Sequence, residues 1–145
     1  MMEKSLREIM LEEHGKISNL LDIFKEEVPR NFDAAKELFS NFKWNLEKHF
    51  LVEEQAIFDV VGSLVGEEIS DIFDLMQEHG NLLEIVKNIE EGLESNVAPD
   101  ASGLADALVK HAEFENETFY PKLDELLNEN QKKEITEKAE EMLKG

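Results

Sequence analysis

Apolar residues recur at steps of three and four along almost the whole chain, and this spacing predicts amphipathic helices. The first helix begins at a capping box formed by Ser5 and Glu8, and a break at residues 28–31 ends it. Its apolar stripe comprises Leu6, Ile9, Met10, Ile17, Leu20, Leu21 and Phe24. One face of helix 1 is therefore expected to pack into a core.

Three further long helices and one short helix are predicted. Helix 2 begins near Asp33 and ends at a break at residues 62–66, and helix 3 fades near Gly92. Residues 95–100 form a loop, Pro121 kinks or ends helix 4, and helix 5 covers about residues 131–143. The apolar stripe of helix 2 comprises Leu38, Phe39, Phe42, Leu46, Phe50, Ile57 and Val60. That of helix 3 comprises Ile69, Ile72, Phe73, Met76, Leu83 and Val86. That of helix 4 comprises Leu104, Leu108, Ala112 and Phe119.

This order of elements predicts an all-α fold, because no stretch shows the alternation of a strand. Four long helices with short connections favour an antiparallel up-down-up-down four-helix bundle. The short fifth C-terminal helix is expected to pack outside the four. We therefore predict a single domain over residues 1–145, with the bundle at about 3–127 and the extra helix at about 131–144.

Composition narrows the classes of function. The chain has 34 acidic and 15 basic residues, a formal net charge of −19, so nucleic acid is not an expected partner. It has no cysteine, which excludes disulfides and cysteine-ligated metal sites. Neither a signal-peptide core nor an apolar run long enough for a membrane span is present. A cytoplasmic protein without a membrane partner is predicted.

Six ionisable residues fall on the apolar faces of the predicted helices. They are His14, His49, Glu53, His79, His111 and Glu115. Unpaired in a core, each would cost several kcal/mol, so a compensating partner is expected. Counted from the helix ends at about 1.5 Å per residue, the histidines lie at similar heights. The six residues are therefore expected to form one layer.

The same residues form an internal repeat. Glu-His-Gly occurs at residues 13–15 and again at 78–80, and His-x-x-x-Glu joins His49 to Glu53 and His111 to Glu115. Each half of the chain is thus a helical hairpin with one lone histidine and one His/Glu pair. A two-fold pseudo-symmetric bundle would contain a two-fold pseudo-symmetric site.

Such a layer has the donors of a dinuclear metal site. His14 with His49 and His79 with His111 would each hold one metal, and Glu53 and Glu115 would bridge the two. Imidazole and carboxylate without thiolate suit iron, with manganese or zinc as substitutes. The alternative from the same residues is a structural layer of hydrogen-bonded histidines.

Other polar and aromatic residues receive ordinary interpretations. Glu13 and Glu78 precede histidines in both halves and are interpreted as a solvated helix face rather than as partners of the ligands. Trp44 and Tyr120 are interpreted as partly buried aromatics rather than as walls of a site.

The motifs resemble the hemerythrin-like, or HHE cation-binding, family. The matching segments are EEHGKI at 12–17, HFLVEEQAIF at 49–58, QEHGNL at 77–82 and HAEFENETFYPKL at 111–123. The resemblance implies a non-heme diiron centre in a four-helix bundle. It makes the four histidines terminal ligands and Glu53 and Glu115 bridges.

The chain departs from the oxygen carriers of that family at two points. Carriers place a second histidine one turn from the one on helix 3, where this chain has Leu75 and Leu83. They also usually have aspartate where Glu115 stands. Either one iron keeps an extra solvent position, or another carboxylate fills it, the candidates being Glu54, Glu37 and Glu78.

The function expected from this resemblance is binding of dioxygen or a related ligand, nitric oxide or peroxide, for oxygen or iron sensing, storage or protection. The alternative is a diiron enzyme: a nitric oxide or peroxide reductase, or a ferroxidase, including a role in iron-centre repair. A binding protein is favoured over a turnover enzyme. A third class is a metal-free helical interaction module. The sequence names no partner protein.

Overall fold

The structure is a computed structural model that describes residues 4–65 and 71–144, and none of these residues lies in a strand. Helix α1 spans Leu6–Glu27. Helix α2 comprises Phe32–Val52, a π-helical turn Glu53–Phe58 and Asp59–Val65. Helix α3 spans Asp71–Glu94. Helix α4 comprises Ser102–Phe114, a second π-helical turn Glu115–Phe119 and Tyr120–Leu126, and helix α5 spans Glu129–Lys144.

Short polar side chains fix the helix ends that the sequence predicts. The Ser5 hydroxyl accepts the backbone N–H of Glu8 at 3.2 Å, which confirms the N-cap of α1. The Asn31 side chain caps α2 in the same way through the N–H of Ala34. Helix α3 ends before Asn96, whose φ of 60° is left-handed and cannot continue a right-handed helix. The loop at residues 95–100 is thereby confirmed.

The first four helices run alternately up and down between two apolar clusters. One cluster takes Met10 from the start of α1, Val52 from the middle of α2, Leu75 from the start of α3 and Phe119 from α4. The other takes the opposite half of each helix and contains Ile17, Phe24, Phe39, Phe42, Leu46, Leu82, Val86 and Leu104. The order of the clusters reverses from each helix to the next, so the helices are antiparallel, as predicted.

Helix α5 lies outside the four-helix arrangement and covers one end of it. Its buried residues, Ile135 and Ala139, join the first apolar cluster. The Lys48 ammonium of α2 donates to the carbonyl of Leu143 at 2.9 Å, and Lys138 donates to the carbonyl of Gln55 at 3.2 Å. These contacts hold α5 against the middle of α2, near its π turn.

One predicted helix end was wrong, and one of the two outcomes predicted for Pro121 is excluded. Gly62 lies inside Asp59–Val65, because its neighbour Val61 is fully buried and packing outweighs the weak helix propensity of glycine. Pro121 does not end α4, because it occupies the first turn of the segment that follows the π turn, where a missing N–H costs little. Gly66, at the end of the predicted break, and Ile69, on the predicted stripe of helix 3, lie outside the described residues.

Among the described residues, no helix is both long enough and apolar enough to cross a membrane.

The core distant from the six ionisable residues offers a test of the packing. Phe24 is fully buried with its ring 4.9 Å from that of Phe39, so Phe24→Ala should lower the free energy of unfolding by about 3–5 kcal/mol. The prediction that Phe73 lies on the apolar stripe of helix 3 was wrong, because Phe73 is 72% exposed, and the same change there should alter the free energy of unfolding by less than about 0.5 kcal/mol. Urea unfolding followed by far-UV circular dichroism measures both, and equal effects would contradict this packing.

Candidate metal centre

The structure brings all six predicted residues together in two overlapping groups. One contains His14, His49, Glu53 and Glu115, and the other contains Glu53, His79, His111 and Glu115. Within each group, one donor atom per residue lies within 4.8 Å of the others. Both carboxylates belong to both groups, which is the arrangement that a pair of bridged metals needs.

Each histidine points its Nε2 atom at one of the two shared carboxylates. Glu53 Oε1 lies 3.1 Å from Nε2 of His49 and 3.3 Å from Nε2 of His79. Glu115 Oε1 lies 3.0 Å from Nε2 of His14 and 3.4 Å from Nε2 of His111. The four imidazoles thus converge on the carboxylate pair from four helices.

The layer lies between the two apolar clusters and is almost completely enclosed. The side chains of Glu53 and Glu115 are 0% exposed, and the other members are similarly buried except for His14, at 10%. Phe50 stacks on His79 with ring centroids 3.9 Å apart, and Phe58 lies on the same imidazole at 5.6 Å. Water is therefore excluded from the His79 side of the layer.

Both shared carboxylates are the first residues of π-helical turns. Glu53 opens Glu53–Phe58 and Glu115 opens Glu115–Phe119. In each case a histidine stands four residues earlier on the α-helical side, so the helix changes its winding between the two side chains. Single π turns inside α-helices are frequent at functional sites. These turns were not predicted from the sequence, because regular helical spacing of apolar residues does not indicate a π turn.

Two glutamates contact the outer nitrogen atoms of the histidines. Glu54 Oε2 accepts from Nδ1 of His79 at 3.0 Å, and Glu78 Oε1 accepts from Nδ1 of His111 at 2.8 Å. The interpretation of Glu78 as a solvated helix face was wrong, because it reaches a histidine on the neighbouring helix rather than the one beside it in sequence. A single helix pattern cannot show a contact between helices.

Tyr120 is the third residue that the sequence interpretation missed. It is fully enclosed rather than partly buried, and its hydroxyl donates to Glu53 Oε2 at 2.8 Å. Burial raises its pKa well above the ordinary value, and the neighbouring Glu115 and Glu53 add to the rise. Tyr120 therefore holds a proton against one of the two shared carboxylates. Trp44, by contrast, is 59% exposed and has no part in the layer.

The pKa values of the two shared carboxylates are shifted in opposite directions. Burial raises the pKa of Glu115 well above its usual value, and the charge of Glu53 raises it further. Burial also acts to raise the pKa of Glu53, but the neighbouring His49, Glu115 and His79 outweigh it and hold that pKa well below the usual value. Two neighbouring buried carboxylates therefore carry one proton between them.

The histidines differ in the same way. Burial lowers the pKa of His14 to about 3, the neighbouring His49 acts in the same direction, and burial also lowers the pKa of His111. Burial opposes the charged form of His79 as well, but Glu53 and Glu54 raise its pKa above the ordinary value. His14 and His111 are consequently neutral near pH 7, the form in which imidazole binds a metal.

The donor atoms of the layer fit a cation better than they fit one another. Among the described residues, five of these buried atoms have no hydrogen-bond partner: Nε2 of His49, His79 and His111, Oε1 of Glu53 and Oε2 of Glu115. Such atoms are costly in a core, and bound cations are among the few partners that satisfy several at once. The imidazoles and the carboxylates form a nitrogen and oxygen donor set for a first-row metal.

Comparison with known proteins gives one match. The family model described as the hemerythrin HHE cation-binding domain matches residues 5–123. The chain belongs to this hemerythrin family. No curated protein and no solved structure matches it at a significant level.

This hemerythrin-family chain fills the positions one turn from His79 with core residues. Leu75 is fully buried in the first apolar cluster, and Leu83 packs against the second. None of the three carboxylates considered as a substitute ligand belongs to either group: Glu54 and Glu78 contact outer nitrogen atoms, and Glu37 is exposed. Among the described residues, no further histidine or carboxylate therefore joins the six at this layer.

The protonation state of Tyr120 in this hemerythrin-family protein can be measured by ultraviolet absorbance, because Tyr120 is the only tyrosine in the chain. In the native protein, ultraviolet absorbance should show no phenolate at pH values where a free tyrosine ionises, about 10. The unfolded chain loses this proton first, so stability should fall as the pH rises above about 10. In denaturant, ionisation should return to the ordinary range. Phenolate at about pH 10 with intact helicity would contradict the buried contact with Glu53.

Proposed function

We propose that the chain is a non-heme diiron protein that binds dioxygen or a related small ligand in the bundle core. The observation that carries this proposal is the set of buried donor atoms that face one another without hydrogen-bond partners. They divide into two groups of four residues that share Glu53 and Glu115. A shared carboxylate pair is what distinguishes a dinuclear site from two separate ones.

In this proposal, His14 and His49 hold one iron, and His79 and His111 hold the other. Glu53 and Glu115 bridge them, and Tyr120 orients Glu53 through its hydrogen bond. Manganese or zinc could take the same ligands, since the site contains no thiolate to favour a softer ion. Iron bound here would supply redox chemistry on dioxygen, nitric oxide or peroxide.

A cavity gives small molecules a route to one side of the layer. It has a volume of about 510 Å³ and lies between α1, α2 and α4, where it reaches His14, His49 and His111. Its walls are mainly apolar and include Leu46, Phe50, Leu108 and Ala112. An apolar route favours a weakly polar ligand such as dioxygen or nitric oxide over a charged substrate.

The physiological use proposed is sensing of oxygen or iron, storage or protection, and a cytoplasmic location stays a prediction.

Tyr120 favours a second candidate, a diiron enzyme that reduces nitric oxide or peroxide. Such reductions consume protons, and Tyr120 holds a buried proton 2.8 Å from Glu53. A ferroxidase, or a protein of iron-centre repair, belongs to the same alternative. Sustained turnover with a reductant would favour the enzyme, whereas a reversible spectral change on adding and removing dioxygen would favour the binding protein.

The first test is a metal count on protein purified in air, together with an absorption spectrum. We expect two irons per chain and iron-dependent absorption in the near ultraviolet that dithionite changes. If the purified protein contains no metal and takes up none as ferrous iron without oxygen, the diiron proposal is wrong.

The bridging roles can be tested one carboxylate at a time. Glu53→Ala and Glu115→Ala should each reduce the iron content to one per chain or fewer, because each removes a ligand of both metals. Glu47→Ala, at an exposed position on the same helix as Glu53, should leave two. Circular dichroism checks the fold, and Glu53→Gln preserves the side-chain volume should the alanine variant unfold. Two irons per chain in both alanine variants would refute the bridging assignment.

Metal removal should destabilise the protein, because the buried donors lose their shared partner. Metal present at a hundredfold over its dissociation constant adds about 2.7 kcal/mol, so a chelator should lower the melting temperature by roughly 5–10 °C. The Glu53→Ala variant should respond less to the same chelator. An unchanged melting temperature and helicity would instead support the metal-free interaction module.

A further inference from the structure

The outer nitrogen atoms of the four histidines have unequal surroundings. Nδ1 of His79 donates to Glu54 at 3.0 Å, and Nδ1 of His111 donates to Glu78 at 2.8 Å. Nδ1 of His14 and Nδ1 of His49 are buried and have no hydrogen-bond partner among the described residues. The two halves of the layer are therefore alike in their inward-facing atoms and different in their outward-facing ones.

The internal repeat identifies which residues create this difference. Asn116 follows Glu115 as Glu54 follows Glu53, so the position that carries a carboxylate in one half carries a neutral amide in the other. Asn116 lines the same cavity as His14, and its Oδ1 atom is buried without a hydrogen-bond partner among the described residues.

The second difference lies at Glu13, the counterpart of Glu78. Each precedes a histidine in a Glu-His-Gly segment. Glu78 contacts His111, whereas Glu13 forms no side-chain hydrogen bond within the described part of the chain. The symmetry of the sequence motif is thus broken in the contacts that it makes.

Outer carboxylates of this kind increase the affinity of a metal site. A carboxylate that accepts the Nδ1 proton leaves Nε2 as the basic nitrogen, fixes the plane of the ring and increases its electron donation. Loss of such a partner typically reduces metal affinity by about 10- to 100-fold. His79 and His111 are therefore oriented before a metal binds, whereas His14 and His49 must be oriented as it binds.

We infer that the two metal positions fill in a fixed order: the His79/His111 position first, and the His14/His49 position second and more weakly. Glu54 and Glu78 are positioning residues for the first position. This inference rests on the proposed dinuclear site. Both histidines of the second position line the cavity, whereas only His111 of the first position does, and His14 is the most exposed of the four histidines. Its occupancy would follow the concentration of available metal, as a metal-dependent sensor requires.

Repulsion between two cations would make the second step weaker in any dinuclear site. The order of filling, rather than the presence of two steps, is therefore the discriminating result. The chain has only four histidines, so selective ¹⁵N labelling of histidine gives a spectrum in which each imidazole can be assigned from single His→Gln variants. Zn²⁺ is a suitable probe because it is redox-inactive and binds imidazole.

The experiment is a Zn²⁺ titration of the metal-free full chain at about pH 8, above the usual histidine pKa. Before metal is added, Nδ1 of His79 and Nδ1 of His111 should each carry a proton, as their contacts with Glu54 and Glu78 require. The first equivalent should then shift Nε2 of these two residues, and the second should shift His14 and His49. Initial filling of His14 and His49, or simultaneous filling of both positions, would overturn the inference.

Four variants separate the outer contacts from general effects of charge. Calorimetry should show that Glu54→Gln and Glu78→Gln each weaken the first binding step by about tenfold or more. Glu13→Gln removes the same charge from the matching position and should change neither step. Asn116→Asp should strengthen the second step, because it supplies the carboxylate that His14 lacks.

The outcomes distinguish this inference from the proposed function. If Glu54→Gln and Glu78→Gln bind two metals with unchanged affinities, the order of filling is not set by the outer carboxylates, and the dinuclear site stands. If the unmodified chain binds neither Zn²⁺ nor ferrous iron, the proposed function fails, and the order of filling fails with it. Glu54 and Glu78 are 34% and 44% exposed, so their variants are expected to fold.

Discussion

The structure depends on one constraint: a layer of ionisable side chains crosses the middle of an apolar core. Glu53 and Glu115 are completely enclosed, and apolar clusters on both sides prevent the helices from moving apart to admit water. Separate hydrogen bonds do not satisfy all the atoms of this layer, because several face one another without a partner. A family whose domain binds cations supplies the kind of partner that these atoms lack.

The inward-facing contacts of the layer follow the internal repeat of the sequence, and the outward-facing contacts do not. The inner side follows the repeat in the sequence: each half contributes a lone histidine and a His/Glu pair, and the resulting groups share their carboxylates. The outer side does not follow it, since Glu54 has a carboxylate where Asn116 has an amide. The repeat thus accounts for the likeness of the inward-facing donors, and the differences at the outer positions account for the unlike surroundings of the two halves.

Helical periodicity was sufficient to predict the bundle and to bring the six central residues onto core faces, because both depend on spacing within a single helix. It could not predict that Glu78 contacts His111 or that Tyr120 reaches Glu53, because these contacts join different helices at distances set by packing. Glycine and proline are weak indicators of helix ends in this chain. Tertiary packing keeps Gly62 within a helix, and Pro121 lies in the first helical turn after a π turn. The missing fifth histidine was visible only through the family resemblance.

The two π turns divide each of their helices into parts that are out of phase. Each turn holds one residue more than an α-helical turn would, and one residue corresponds to a rotation of about 100° around the helix axis. The residues beyond Glu53–Phe58 and Glu115–Phe119 therefore face the core only because of that extra residue. A plain α-helical projection carried through these turns is therefore out of phase by that angle for the residues that follow, including Tyr120. A single-residue deletion in either turn would rotate the segment that follows by about 100° relative to the core.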